Sequence, residues 1–288
     1  MKRAGMVFLM LLWSGLVALF LMGAEESKTA KTSTTTAKST KTASATPTKA
    51  KAKKDTAKDT KLTTSTKTAA SVTSGTKTVY LMFDDGPSKN TPEVLDILKE
   101  KGVHATFFTI GNKTPELMKR VVDEGHAIGN HTYSHEDAKY KDLTAFMADV
   151  KKQEDLIFKA TGVHPVIFRF PHGSNNNLAG KTASGENRMV DIRAAVEQAG
   201  YAYFDWNASS ADYLLEGKTK EGILTSIKKY SKSKKGYDIV LMHDGSGHKA
   251  TVEALPELIE YYKSLGYQFE TLNHDSPAYH MGFVASKK

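Results

Sequence analysis

A parallel α/β fold is what this 288-residue sequence predicts, on two observations. From residue 76 onward, seven apolar strand-like runs alternate with six amphipathic helical stretches, the pattern of strand–helix–strand units. The ionisable residues also gather just after the strands rather than before them. That is where parallel α/β folds hold their ligands.

The strand-like runs lie at 79–83, 103–110, 126–130, 165–169, 201–205, 238–242 and 267–271. The first helix is written in "TPEVLDILKEKG", with Thr91 as the expected N-cap, Pro92 at the first helical position and Gly102 at the end. The other helical stretches are 114–124, 143–161, 188–199, 219–232 and 250–265. Periodicity alone fits a barrel and a doubly wound sheet equally well.

The 75 residues before this region have a different texture. Residues 1–24 start with Lys-Arg and continue as one long apolar run, which suits an uncleaved signal anchor better than a cleaved signal peptide. Either reading exports the rest of the chain, to the outer face of the cell membrane or into the cell wall, with the positive end left cytoplasmic. Residues 25–75 are built from Thr, Lys, Ala and Ser and cannot form a core, so they read as a disordered basic tether. Residues 76–288 then form the expected catalytic domain, a monomer.

The formal net charge of +8 does not belong to that domain. Residues 1–24 carry +2 and residues 25–75 carry +7, which leaves −1 for the remainder. A nucleic-acid partner therefore loses its main support. Cysteine is absent, so disulfides and thiolate metal sites are excluded, and a metal would have to sit on His, Asp, Glu or carbonyl oxygen.

The strand ends carry a coherent chemical set. "LMFDDGPS" puts Asp84 and Asp85 after the first strand, and "GNHTYSH" puts His131 and His135 after the third. "FRFPHGS" supplies Arg169 and His172, "FDWN" supplies Asp205 and Trp206, and "VLMHDG" supplies Leu241, His243 and Asp244. Singly, each has an ordinary explanation. Asp-Asp-Gly is most often a turn, a His-x-x-x-His pair arises by chance among ten His, and a lone Arg is most often an ion-pair partner. His104, His126, His164, His248, His274 and His280 read as loop or surface residues. Together, two imidazoles and a carboxylate give a three-ligand metal site with open positions, a second carboxylate gives a base, and a further His gives an acid.

In order, "FDDGPS", "HTYSH", "RFPHG", "DWN" and "IVLMHD" resemble the five motifs of the polysaccharide deacetylases, or family-4 carbohydrate esterases, and "GVHATFFTIGN" is similar to that family's second strand. The resemblance covers roughly residues 76–272. It implies a distorted (β/α) barrel of about seven parallel strands. It also implies removal of N-acetyl groups from a glycan, with N-acetylglucosamine of peptidoglycan as the expected substrate. An O-acetyl (xylan-type) or chitooligosaccharide substrate is the alternative, and a non-catalytic glycan-binding module is a third reading. The implied cofactor is one divalent metal ion, zinc first, with cobalt, nickel or manganese as alternatives. The implied ligands are Asp85, His131 and His135. By the same resemblance Asp84 is the base, Arg169 its partner, His243 the acid and Asp205 the carboxylate supporting that acid. Trp206 and Leu241 line the acetyl pocket, and the His172 amide donates to the oxyanion. Many family members have Tyr where this chain has His172.

Overall fold

The computed structural model describes residues 77–111, 114–231 and 236–282. The expected anchor at 1–24 and tether at 25–75 lie outside the described residues. Among the described residues no helix is long and apolar enough to cross a membrane.

Eight strands, all parallel, alternate with six helices: β1 (Lys77–Gly86), α1 (Thr91–Lys101), β2 (Thr106–Thr109), α2 (Pro115–Asp123), β3 (Ala127–Asn130), α3 (Leu143–Thr161), β4 (Ile167–Phe168), α4 (Met189–Gln198), β5 (Ala202–Tyr203), β6 (Ala208–Ser209), α5 (Lys220–Tyr230), β7 (Tyr237–His243), α6 (Lys249–Ser264) and β8 (Tyr267–Phe269). All seven expected strands and six expected helices are present. The additional strand is β6, two residues long, which has no apolar run to announce it.

Seven strands pair in the order β5-β4-β3-β2-β1-β7-β6, and β8 pairs with the start of β1. Neighbours in space are thus neighbours in sequence around a ring, opened between β5 and β6. The helices follow the same order, α6 packing on α1 and α5, α1 on α2, α2 on α3, and α3 on α4. A doubly wound sheet would reverse its strand order partway. The curled sheet is a distorted (β/α) barrel.

The period-2 alternation of β1 sets the site. Val79, Leu81 and Phe83 pack outward with Val94, Leu95 and Leu98 of α1 and Leu255, Leu258 and Ile259 of α6. Tyr80 and Met82 point the other way, into the interior with Phe108, Ile167, Phe204 and Ile239. Asp84 continues the interior face, as Arg169 does two residues after Ile167 and His243 four residues after Ile239.

One local expectation is corrected. Thr91 is not the N-cap of α1; Asn90 occupies that position, and the Thr91 hydroxyl donates instead to Asp244 Oδ2 across the mouth of the barrel. Residues 278–282 run past the exposed edge of β5 beside the opening. There Asp205 N donates to Tyr279 O at 2.9 Å, and the His280 ring stacks on Tyr203 at 4.0 Å.

Candidate active site

Adjacent residues on a strand face opposite ways, so Asp84 and Asp85 would not normally share a site. A bulge resolves this. The β1–β2 register shifts between Asp84 and Gly86, and Asp85 takes a left-handed φ of 69°. The bulge re-aims its carboxylate toward the cavity. Gly86 then passes so close to β7 that a Cβ there would lie 2.3 Å from Asp244 Oδ1. Ser88 Oγ donates to Asp244 O at 2.5 Å and Asn90 Nδ2 to Gly245 O at 2.8 Å, stapling this turn to the end of β7. Gly86→Ala is expected to destabilise the fold by about 1–3 kcal/mol through this clash, read as a lower melting temperature.

Asp85 Oδ1 lies 3.5 Å from both His131 Nε2 and His135 Nε2. His131 Nδ1 is 2.7 Å from the Arg169 carbonyl, which only accepts, so Nδ1 carries the proton and Nε2 keeps its lone pair. Burial pushes the His131 pKa down to about 3, so the ring stays neutral. The two imidazole planes cross at 64°, and Asp85 Oδ1 is buried with no hydrogen-bond partner. Two imidazoles and an orphaned carboxylate oxygen, converging on one point, fit a divalent cation.

The His131–His135 loop is held from behind. Asp149 of α3 accepts from Tyr133 N at 3.0 Å, Ser134 N at 2.9 Å and Ser134 Oγ at 3.0 Å, and Asn130 Oδ1 accepts from Thr132 N. These side chains let Thr132 and His135 hold φ values of 66° and 55°.

Asp84 is buried, and its Oδ2 accepts from Arg169 Nε at 3.0 Å. Burial raises its pKa and the Arg169 guanidinium opposes that rise. Its other oxygen, Oδ1, has no partner. Arg169 is fixed in turn by donation to Phe204 O at 3.0 Å and by Trp206, whose ring lies 4.1 Å from the guanidinium carbon.

His243 differs from expectation in its partner. Its Nδ1 lies 2.8 Å from Oδ1 of Asp212, and its backbone N donates to Asp212 Oδ2 at 2.7 Å. Burial pushes the imidazolium down, but the Asp212 hydrogen bond and charge outweigh it, leaving the pKa up at about 9. Asp205, expected in this role, does other work. It accepts from Ser174 N at 2.8 Å, Ser174 Oγ at 2.5 Å and Met281 N at 2.7 Å. It therefore anchors the loop bearing His172 and the segment after Tyr279. The reason is β6: a further strand intervenes, and the residues that follow it, not those after β5, reach His243.

Asp84, Asp85, His131, His135, Arg169, His172, Trp206, Leu241 and His243 all line one cavity of about 390 Å³, with Gly173 and Tyr213. Asp205 is not among its lining residues. Sequence reasoning missed Asp212, Tyr213 and His248, the last stacked on His243 at 4.9 Å. The His172 ring packs edge-on to His135 at 5.2 Å, and its Nε2 pairs with Asp137 Oδ1 at 2.8 Å.

A buried carboxylate held by a guanidinium, an imidazole held by a carboxylate and a His-His-Asp trio around one cavity are the groups that metal-assisted hydrolysis can use. The model of the polysaccharide deacetylase family matches residues 71–188. A peptidoglycan-N-acetylglucosamine deacetylase of Bacillus cereus is 34% identical over 214 residues, 70% of this chain and 89% of the relative. A second from the same organism is 32% identical over 205 residues, 69% of this chain and 71% of the relative. The crystal structure of the catalytic domain of a peptidoglycan N-acetylglucosamine deacetylase from Eubacterium rectale superposes with a TM-score of 0.67 at 30% identity, covering 76% of this chain and 98% of that one. The chain belongs to the polysaccharide deacetylase family and is a deacetylase, a hydrolase.

Proposed function

We propose that this enzyme removes the N-acetyl group from N-acetylglucosamine in peptidoglycan, using one divalent cation, zinc first, held by Asp85, His131 and His135. The bulge at Asp85 carries this reading, because it turns two neighbouring carboxylates into one cavity with different partners. The named activity of the relatives supports the substrate.

When bound, the cation makes a water acidic enough to ionise near neutral pH and polarises the acetyl carbonyl. Asp84 accepts the proton of the attacking water at Oδ1, while Arg169 holds Oδ2. The water oxygen bonds to the acetyl carbon. The backbone N–H of His172 donates to the oxygen that becomes negative. His243 gives its Nε2 proton to the sugar nitrogen, the C–N bond breaks, and acetate and the free amine leave. Asp212 holds the imidazolium ready for that transfer. Trp206, Leu241 and Tyr213 enclose the acetyl methyl.

Acetate released from peptidoglycan, N-acetylglucosamine oligomers and acetylated xylan by the full chain tests the reaction; release from xylan alone would overturn the substrate. His131→Ala is expected to lose both bound metal and turnover, and chelation of the wild-type enzyme should reproduce that loss. Full metal occupancy in the variant would remove the trio from its role. The apolar run at 1–24 and the basic stretch at 25–75 support a cell-surface enzyme, membrane-anchored or released to the wall. Cell fractionation tests this, and recovery in the cytosol would overturn it.

A further inference from the structure

Asp212 has a second imidazole beside it. His248, just before α6, lies with its ring nearly parallel to that of His243, centroids 4.9 Å apart and planes 22° apart. Its Nδ1 is buried without a hydrogen-bond partner, 3.5 Å from Asp212 Oδ2. That distance is too long for a good bond. Oδ2 is already engaged, accepting from His243 N at 2.7 Å and from Thr251 Oγ1 at 2.8 Å.

Asp212, His243 and His248 bring three possible metal-ligand atoms within 4.8 Å of one another. The ring geometry argues against a second cation. Nitrogen lone pairs lie in the plane of their rings, and nearly parallel stacked planes do not aim two of them at one point. The His131 and His135 planes, at 64°, are crossed and their Nε2 atoms flank one carboxylate oxygen. What His248 offers His243 is therefore a flat face.

A single ring hydrogen bond leaves an imidazole free to roll about the bonded axis. The His243 ring makes one such bond, from Nδ1 to Asp212, and Tyr213 meets it edge-on at 6.0 Å, too loosely to fix its plane. We propose that His248 is a positioning residue for His243, its stacked ring holding the plane in which Nδ1 meets Asp212 and Nε2 stays turned toward the cavity. A proton donor must be aligned with the departing nitrogen to within a few tenths of an ångström, so loss of that plane costs rate without costing affinity.

The inference rests on His243 being the acid, and one readout is independent of that. In the full-length enzyme, the His243 Nδ1–H proton should exchange slowly with solvent and be visible by NMR. His248→Phe keeps a flat face and should retain the signal. His248→Ala should lose it, and so should His248→Leu, which fills space without a flat face. In the same variants, kcat on an N-acetylglucosamine oligomer should fall about tenfold for Ala and Leu, part of what a general acid supplies, with KM and metal content unchanged. Phe should restore kcat. An activated aryl acetate, whose leaving group needs no proton, should be turned over equally by all four proteins. If Phe falls as far as Ala, or Leu behaves as wild type, the flat face is not what matters and the proposal fails. A lost proton signal with unchanged kcat would spare the clamp and remove His243 from the chemistry. Thermal unfolding of each variant separates a local effect from a failure to fold, and the Phe–Leu pair carries the test if Ala does not fold.

Discussion

Asp84→Asn is expected to keep the metal and lose turnover on an N-acetylglucosamine oligomer by roughly 10²–10⁴-fold, the range a general base supplies. The geometry separates the two aspartates. Asp85 Oδ1 faces the two imidazoles at 3.5 Å, whereas Asp84 Oδ2 is committed to Arg169 at 3.0 Å and only its Oδ1 is unbonded. An amide in place of that carboxylate cannot accept a proton from water. The substitution has a second consequence. Arg169 is almost wholly buried, and the Asp84 carboxylate is the anion it pairs with. Leaving a buried cation without its anion typically costs about 3–5 kcal/mol, so the melting temperature should fall too. Metal analysis, turnover and thermal unfolding on one preparation separate these effects. Asp85→Asn should show the opposite order, with metal affinity lost first. If both variants bind metal normally and stay active, the division of labour is wrong.

Much of this site was legible because its residues obey one rule: chemistry sits at the carboxyl ends of parallel strands. Asp84 and Asp85 lie at the end of β1, the longest strand, His131 directly follows β3, and Arg169 directly follows β4. The family resemblance, carried onto the visible strand end, misplaced the partner of His243. The apolar run at 201–205 is visible, so the carboxylate at its end, Asp205, was the natural choice. Asp212 obeys the rule as well, because it follows β6 by three residues, but β6 is two residues long and only Ala208 in it is apolar. A strand without a hydrophobic run leaves no periodic signal. Once β6 is recognised, "SSADY" becomes the strand-end segment, and Asp212 and Tyr213 follow from it. His248 had no such marker, since a stacked ring depends on how the turn between β7 and α6 folds. The choice of barrel over doubly wound sheet also lay beyond periodicity, because both give the same alternation. Strand order decides it, and strand order is set by long-range pairing.

His243→Ala is expected to cost orders of magnitude on the amide substrate and far less on an activated aryl acetate. An amine is expelled as its anion only with great difficulty, so protonation at nitrogen is required before the C–N bond can break; an activated aryl oxide leaves without it. Asp212→Asn should follow the same pattern more mildly. It keeps an oxygen near Nδ1 but removes the charge that, against burial, lifts the His243 pKa to about 9. The sign of the pH effect follows. The acid is competent while protonated, so the alkaline limb of kcat/KM for the wild-type enzyme should fall as pH rises through about 9, and in Asp212→Asn it should move to lower pH. Asp205→Asn is the informative contrast. Its carboxylate bonds Ser174 and Met281 rather than His243. An amide there presents N–H where Ser174 or Met281 also presents a donor, loosening the loop that carries the His172 amide. Turnover should therefore drop equally on amide and ester, the melting temperature should fall, and the alkaline limb should stay in place. An amide-selective loss in Asp205→Asn, with Asp212→Asn unaffected, would return the role to Asp205 and reject the pairing of His243 with Asp212.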